Sequence, residues 1–348
     1  MTVVTSDLLR RLPKTELHCH LDGCVRASTL LELAAEYDKP MPADDAEALA
    51  QYMLVDDAEN LEDYLERFSV TLSVMQTSEA LERITYELAE DAAREGVRYL
   101  ETRYAPVLNV RGGLSLEEAV EAPLRGLARA HQEYGIVGRV IVCAIRNMAP
   151  EVSLELARLA VAFKGRGVAG FDLAGGEAGN PASRHKEAFD FARENDLPCT
   201  CHAGEGAGAE SVRDAVHRCC VCRVGHGTRL LEDESLTEYV NDRRITIECC
   251  ITSNVQTRAT QSFDTHPLRQ FFDRGLNVVL STDNRLMSGI TLVDEYQRAA
   301  THLGFTFEEL CAVARNGFTS AFLHENERSA LLATVDRDIA ALLAEGRS

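Results

Sequence analysis

Short runs rich in apolar and β-branched residues alternate along this chain with longer stretches whose apolar residues recur at helical spacing. The short runs read as strands: Glu16–Leu21, Val97–Tyr104, Gly138–Ile145, Val168–Leu173, Pro198–His202, Cys222–His226, Ile245–Cys250 and Leu276–Thr282. Amphipathic stretches between them, such as Leu116–Glu133, Ser153–Lys164, Ser183–Glu194 and Thr265–Arg274, read as helices. A strand repeats every two residues and a helix about every 3.6, and run length with β-branched content separates the two where the pattern is short. Eight strands alternating with helices predict an α/β fold, a (β/α)8 TIM-like barrel.

One connection is much longer than the others. The stretch from Asp22 to Gly96 lies between the first and second strands and reads as helical over Ala27–Glu36, Asn60–Val74 and Ser78–Arg94. It leaves the C-terminal end of a strand, the side on which such barrels build their sites. Residues 22–96 are therefore expected to be a helical lid insertion within a single domain spanning 1–348.

Composition narrows the partners. A chain of 348 residues suits one barrel with insertions, and 45% apolar residues suffice for a large core. The net charge of −19, from 36 basic and 55 acidic side chains, repels phosphate backbones and anionic lipid. Neither a nucleic acid nor a membrane is expected as a partner. The 11 cysteines are odd in number, Met1–Lys14 has no signal-like apolar stretch, and no apolar run approaches membrane-span length. A cytoplasmic protein with free thiols is the expectation. Nothing in the sequence fixes an oligomeric state.

Candidate chemistry gathers at strand ends. His18-Cys19-His20 lies on the first strand, where residues two apart face the same way, so both imidazoles point to one side and Cys19 to the other. Neutral imidazole is the commonest metal ligand, yet one such pair is weak by itself. Cys201-His202-Ala203-Gly204-Glu205 ends the fifth strand and sets a potential ligand beside a potential acid. Gly225-His226-Gly227 ends the sixth, with room around its ring. Ser281-Thr282-Asp283-Asn284 follows the eighth, where Asp283 could be a ligand, a base or a helix cap. All four pieces converge only if the sheet closes into a barrel. Three His and one Asp would then hold a metal with a position left open for water, as in catalytic zinc sites.

These residues carry a resemblance. Pro13-Lys14-Thr15-Glu16-Leu17-His18-Cys19-His20-Leu21-Asp22-Gly23, Asp172-Leu173-Ala174-Gly175, His202-Ala203-Gly204-Glu205, Gly225-His226-Gly227-Thr228 and Ser281-Thr282-Asp283 resemble, in order and spacing, the motifs of the adenosine deaminase family, from about Leu12 to about Phe322. The resemblance implies the barrel, one zinc ion per chain, and hydrolytic removal of the 6-amino group of a purine nucleoside, adenosine or 2′-deoxyadenosine. It makes His18, His20, His202 and Asp283 the metal ligands, Glu205 the proton donor to N1 of the purine, and His226 the group that orients or deprotonates the attacking water, with Asp283 also catalytic. His20, Asp22, Gly175 and Asn284 are expected to meet the substrate, Gly175 through its backbone against the purine and Asp22 near the ribose. Ser253 is expected behind Asp283. Leu61, Tyr64, Leu65 and Phe68 match the family's apolar lid helix, and their spacing gives one helical face.

The chemistry the resemblance implies is coherent. An aromatic amine leaves poorly, so the reaction needs a strong nucleophile and a protonated ring; zinc lowers the pKa of water from ~15.7 to roughly 7. Glu205 must stay neutral to donate to N1, so its pKa is expected to be raised by burial or a nearby anion. Two positions depart from the family pattern: Asn284 stands where a second Asp is common, and Gly176 where an acidic or polar residue is. An Asn amide donates to N7 without first being protonated, so purine binding is compatible with the change.

Other readings remain distinct. A deaminase of adenine or of a modified adenosine would share the site, but free-base relatives tend to carry Glu where Asp22 stands. A two-metal amidohydrolase would need a modified lysine at the end of strand four, and Lys14, Lys39, Lys164 and Lys186 all lie elsewhere. A non-catalytic nucleoside-binding protein would have no use for Glu205 beside an intact ligand set. Cys219-Cys220-Val221-Cys222 lacks a second pair at zinc-ribbon spacing and reads as structural, and His131, His185, His217, His266, His302 and His324 read as surface or core.

Overall fold

The computed structural model describes residues 3–56, 64–65 and 67–345. Eight parallel strands are present among the described residues: β1 Lys14–His20, β2 Val97–Tyr104, β3 Val137–Ile145, β4 Val168–Ala174, β5 Thr200–Ala203, β6 Arg223–His226, β7 Thr246–Cys249 and β8 Val278–Leu280. They form two four-stranded sheets, β1-β2-β3-β4 and β5-β6-β7-β8. Parallel bridges join the sheets at both seams. Phe171 on β4 pairs with Cys199 just before β5, and Cys19 on β1 pairs with Asp283 just beyond β8. At the second seam His20 N–H donates to the Asp283 carbonyl at 2.8 Å and Asp283 N–H to the His18 carbonyl at 2.9 Å.

Every residue of β4, β5, β6, β7 and β8 is buried. That is the pattern of parallel strands covered on both faces. Helices supply the outer cover. Leu116–Tyr134 begins in a reciprocal cap between Ser115 and Glu118 and stops at Gly135, whose φ of 71° suits a helix end. Pro150–Ala162 begins with proline at its first position, where no amide hydrogen is needed.

Several boundaries differ from the sequence reading, each for a visible reason. The run Leu276–Thr282 narrows to Val278–Leu280, because Leu276 N–H closes the preceding helical turn on the Phe271 carbonyl and Thr282 N–H turns to the Glu16 carboxylate. The helix read over Thr265–Arg274 is Leu268–Asp273, since Pro267 separates it from a short turn at Phe263–Thr265. Ser183–Glu194 divides into a 3-10 turn, Ala182–His185, and a helix, Lys186–Glu194. Between β1 and β2 stand Ala27–Glu36, Ala46–Met53, Phe68–Leu72 and Ser78–Arg94. Ala27–Glu36 and Ser78–Arg94 match the reading residue for residue, Ala46–Met53 had no counterpart in it, and part of the segment read as Asn60–Val74, including Leu61, lies outside the described residues. All 11 cysteines are free. No helix among the described residues is long and apolar enough to cross a membrane.

Candidate metal centre and active site

The C-terminal strand ends bring together residues read far apart in the chain. One ligand atom each from His18, His202, His226 and Asp283 all lie within 4.8 Å of one another, and all four residues are buried. His20 joins them, with Nε2 3.0 Å from His202 Nε2 and 3.5 Å from Asp283 Oδ1. Asp283 Oδ1 is also 3.5 Å from His18 Nε2. Both His226 and Asp283 hold left-handed backbone conformations, with φ of 64° and 60°. For non-glycine residues these cost energy and turn the side chains off their strand ends. Gly225 lets β6 approach the cluster: a Cβ there would stand 2.8 Å from Cε1 of His18.

The residues beneath the cluster decide which ring nitrogens face it. His18 Nδ1 is 2.8 Å from Glu248 Oε2, and His202 Nδ1 is 3.1 Å from Asp172 Oδ2. Each carboxylate accepts a hydrogen bond from Nδ1–H and leaves the Nε2 lone pair pointing into the cluster. His18 Nε2 is buried and makes no hydrogen bond. Arg103 bridges the two carboxylates, 2.9 Å from Asp172 and 3.0 Å from Glu248. Arg223 continues the chain from Glu248, at 2.7 Å, to Glu101. All five charged side chains are essentially inaccessible. Burial pushes the Asp172 and Glu248 carboxyls up, but the cationic partners outweigh it and hold both well below the usual range. Ser253, fully buried, donates its Oγ–H to Asp283 Oδ2 at 2.6 Å, behind that carboxylate as anticipated.

Protonation follows burial and charge. His20 and His202 are held below the ordinary imidazole value, chiefly by burial, so both offer lone pairs at neutral pH. Burial also lowers His18, but Asp283 and Glu248 outweigh it and raise it to about 9. A proton and a cation thus compete for the same nitrogen. Neutral imidazoles, one carboxylate and an orphaned buried Nε2 fit a divalent metal, and the nitrogen-rich set suits zinc.

Glu205 lies next to this cluster, its Oε2 3.5 Å from His226 Nε2. Burial first, then the charges of Asp283 and Glu177, push its carboxyl up to about 8. The expectation of a neutral acid has a physical source. Glu177 had no signal in the sequence, and it organises the whole loop. Its carboxylate accepts from the backbone N–H groups of Gly204 at 2.7 Å, Glu205 at 2.9 Å, Gly206 at 2.6 Å and Ala207 at 3.2 Å, and from the Ser211 hydroxyl. Arg146 holds the His202 carbonyl from the other side.

A cavity of about 1030 Å³ opens over the cluster, lined by His20, Asp22, Gly175, His202, Glu205, His226, Asp283 and Asn284, with Tyr64, Leu65 and Phe68 along one wall. Asp22 Oδ1 and Asn284 Oδ1 are buried acceptors without hydrogen-bond partners. Burial, reinforced by Asp283, pushes Asp22 up to about 7. Gly175 has φ of 96°, and a Cβ would meet Asn147 Oδ1 at 3.1 Å. Gly176 N–H donates to the same oxygen at 3.0 Å, so its backbone is used although its side chain is absent. A second cavity, about 1080 Å³, lies at the opposite end of the barrel among Arg139, Val168, Arg223 and Thr246, far from these groups. Several of its cations are ion-paired within the protein, for example Arg139 with Glu327 and Lys164 with Asp196. The Cys219–Cys222 stretch belongs to no potential metal group among the described residues.

Known proteins resemble this chain in sequence and in fold. The adenosine deaminase family profile matches residues 13–338. A probable adenosine deaminase of Dictyostelium discoideum is 43% identical over 321 residues; the match covers 92% of this chain but only 42% of that longer relative. An adenosine deaminase of Vibrio atlanticus is 38% identical over 327 residues, covering 94% of this chain and 98% of that one. Among solved structures, an amidohydrolase from Burkhoderia ambifaria with bound Zn superposes with a TM-score of 0.89 at 26% identity, over 100% of this chain and 96% of that one. An adenine deaminase from Arthrobacter aurescens superposes with a TM-score of 0.87 at 27% identity, over 94% and 98%.

Proposed function

We infer the reaction from the fact that this chain belongs to the adenosine deaminase family: it is a hydrolase that deaminates adenosine and 2′-deoxyadenosine, giving inosine and 2′-deoxyinosine with release of ammonia. The observation that carries the reading is the pairing, in one cavity, of a metal-ligand cluster with a carboxylic acid raised to about 8.

His18, His20, His202 and Asp283 would hold one zinc ion. Bound there, zinc supplies Lewis acidity, which makes water nucleophilic near neutral pH. Asp172 and Glu248 keep His202 and His18 in the tautomer that presents Nε2, and Arg103 keeps both carboxylates charged. Glu205, protonated at neutral pH, donates to N1 of the purine and makes C6 electrophilic as the tetrahedral centre forms. Asp283 and His226 face the same space and hold or take the proton of the attacking water. Asp22 offers an unpartnered oxygen to substrate donors, the Asn284 amide donates to N7 of the purine, and the Gly175 backbone lies against the purine. Tyr64, Leu65 and Phe68 form a wall of the cavity, the part the expected lid would play. Release of the amine as ammonia leaves the 6-oxo purine. Eleven free thiols fit a reducing, cytoplasmic setting.

The test is a substrate panel on metal-analysed protein: adenosine, 2′-deoxyadenosine, adenine, an N6-substituted adenosine and adenosine 5′-monophosphate. The last belongs there because Arg67 and Arg111 also line the cavity. Adenosine and its 2′-deoxy analogue should have the highest kcat/KM. Preference for adenine would overturn the nucleoside assignment, and no bound metal would overturn the mechanism.

A further inference from the structure

The three buried histidines of the cluster that have a second hydrogen-bonding partner do not present the same face. His18 and His202 rest on carboxylates through Nδ1, so each Nε2 is a lone pair. His226 rests on an amide. Its Nδ1 is 2.9 Å from Nδ2 of Asn254, and the Asn254 oxygen lies 3.0 Å from Nε2 of His266.

The direction of this chain follows from one donor whose identity is not open. Leu268 N–H points at His266 Nδ1 across 3.2 Å, and a backbone N–H can only donate. His266 Nδ1 must therefore be the acceptor. Burial pushes His266 down to about 3, so the ring is neutral and its single proton sits on Nε2. That N–H donates to Asn254 Oδ1. The Asn254 amide is then fixed with its NH2 group toward His226, and Nδ1 of His226 must accept. A neutral His226 consequently carries its proton on Nε2, the nitrogen that faces Glu205 Oε2 at 3.5 Å. All four residues are buried, so no bulk water offers an alternative partner.

We propose that Asn254 and His266 are positioning residues that lock His226 as an Nε2–H donor, so that it orients the attacking oxygen by donating a hydrogen bond and neither binds the metal nor removes the water's proton. The proposal rests on the deaminase reading for the attacking oxygen, while the tautomer itself stands on the hydrogen bonds alone. It accounts for a set of five nearby donors in which only four serve a metal: His226 is close enough, yet it turns a proton toward the site. It also leaves Asp283 as the carboxylate available to take the water's proton.

Asn254→Asp separates this role from a merely structural one. An aspartate at that position keeps the size and still accepts from His266 Nε2–H, but it accepts from His226 Nδ1 as well and so moves the His226 proton from Nε2 to Nδ1. The measurement is 15N-labelled histidine NMR of the zinc-loaded enzyme, with the His226 signals assigned by their loss in His226→Gln. Wild type should show His226 protonated at Nε2 and His18 and His202 protonated at Nδ1. Asn254→Asp should show His226 protonated at Nδ1, with undiminished zinc content, KM within about threefold of wild type, and kcat lowered roughly 10²–10³-fold, the cost of losing one preorganised donor. His266→Phe, which frees the Asn254 amide to rotate, should give a mixture of both His226 forms and an intermediate kcat. An Nδ1-protonated His226 in wild type would overturn the proposal without use of any variant. So would an Asn254→Asp or His266→Phe enzyme whose tautomer moves while kcat stays within threefold. Failure of the wild-type enzyme to deaminate any purine, with the expected tautomers present, would count against the deaminase reading and leave the lock in place.

Discussion

His18 Nδ1 and Glu248 Oε2 lie 2.8 Å apart at the bottom of the metal cluster, with both side chains fully buried. Glu248 also receives Arg103 and Arg223, so one carboxylate couples a metal ligand to the ion network inside the barrel. Glu248→Gln removes that charge and offers an amide that can present the wrong group to Nδ1. We expect metal affinity to fall roughly 10–100-fold, the usual loss when the group behind a ligand histidine is removed. Competition with a graded series of chelators measures it, and affinity unchanged within twofold would count against a supporting role.

Glu205→Gln should bind metal as wild type does and lose about 10²–10⁴ in kcat, the contribution of a positioned general acid. Metal content and kcat must be measured on the same preparation. Near-normal turnover with full metal would remove Glu205 from the chemistry.

The pH profile should carry the same residue. Glu205 is the acid, so activity requires its protonated form. Burial and the Asp283 and Glu177 charges raise its pKa to about 8, so the acid is present below that pH and is lost as pH rises through it. The alkaline limb of kcat/KM should fall near pH 8 and should be absent from the residual activity of Glu205→Gln. A wild-type profile flat to pH 10 would contradict this assignment.

Glu177→Ala should be costly in two ways. It leaves four backbone N–H groups and the Ser211 hydroxyl without their acceptor. Even one such buried group left unpaired costs about 1–3 kcal/mol. A lower Tm together with a kcat loss greater than the KM change is expected, because the loop that carries Glu205 is no longer held. Thermal unfolding and steady-state kinetics read the two effects separately.

Gly225→Ala tests the close approach of β6 to the ligands. The added methyl would stand 2.8 Å from His18 Cε1 and 3.2 Å from His18 Nδ1, inside contact distance. His18 must move, and metal affinity should fall more than global stability does. Equilibrium metal binding alongside denaturant unfolding distinguishes these.

What the sequence made legible was local. Val97–Tyr104 was read to the residue, because a glycine stands before it and Ala105-Pro106 follows. His18, His20, His202, His226 and Asp283 were legible because each sits at or near a strand end, where a polar residue after an apolar run stands out. Glu177, Glu248 and Arg103 were not. Glu177 meets its partners across a gap of 27 to 34 positions, and Glu248 meets His18 across 230. No periodicity records a contact of that range. His266 was read as one more surface or core histidine. It is buried, as such a reading allows, but its importance lies in which of its nitrogens carries the proton, and that depends on the turn at Leu268. The shorter β8 has a similar origin: residues with strand-like side chains were drawn off to close a helical turn and to meet Glu16.

The seam between Cys19 and Asp283 joins the first strand of the barrel to the end of the last. His18 and His20 stand on one side of it and Asp283 is the other side, so the donor set is divided between the two ends of the fold. A nascent or truncated chain that stops short of β8 holds the imidazoles of β1 and β5 but has no carboxylate to complete them. Tight metal capture therefore reports ring closure. A metal that binds only the closed ring adds its binding free energy to closure. Metal supply would then act on the lifetime of the folded barrel as well as on its turnover.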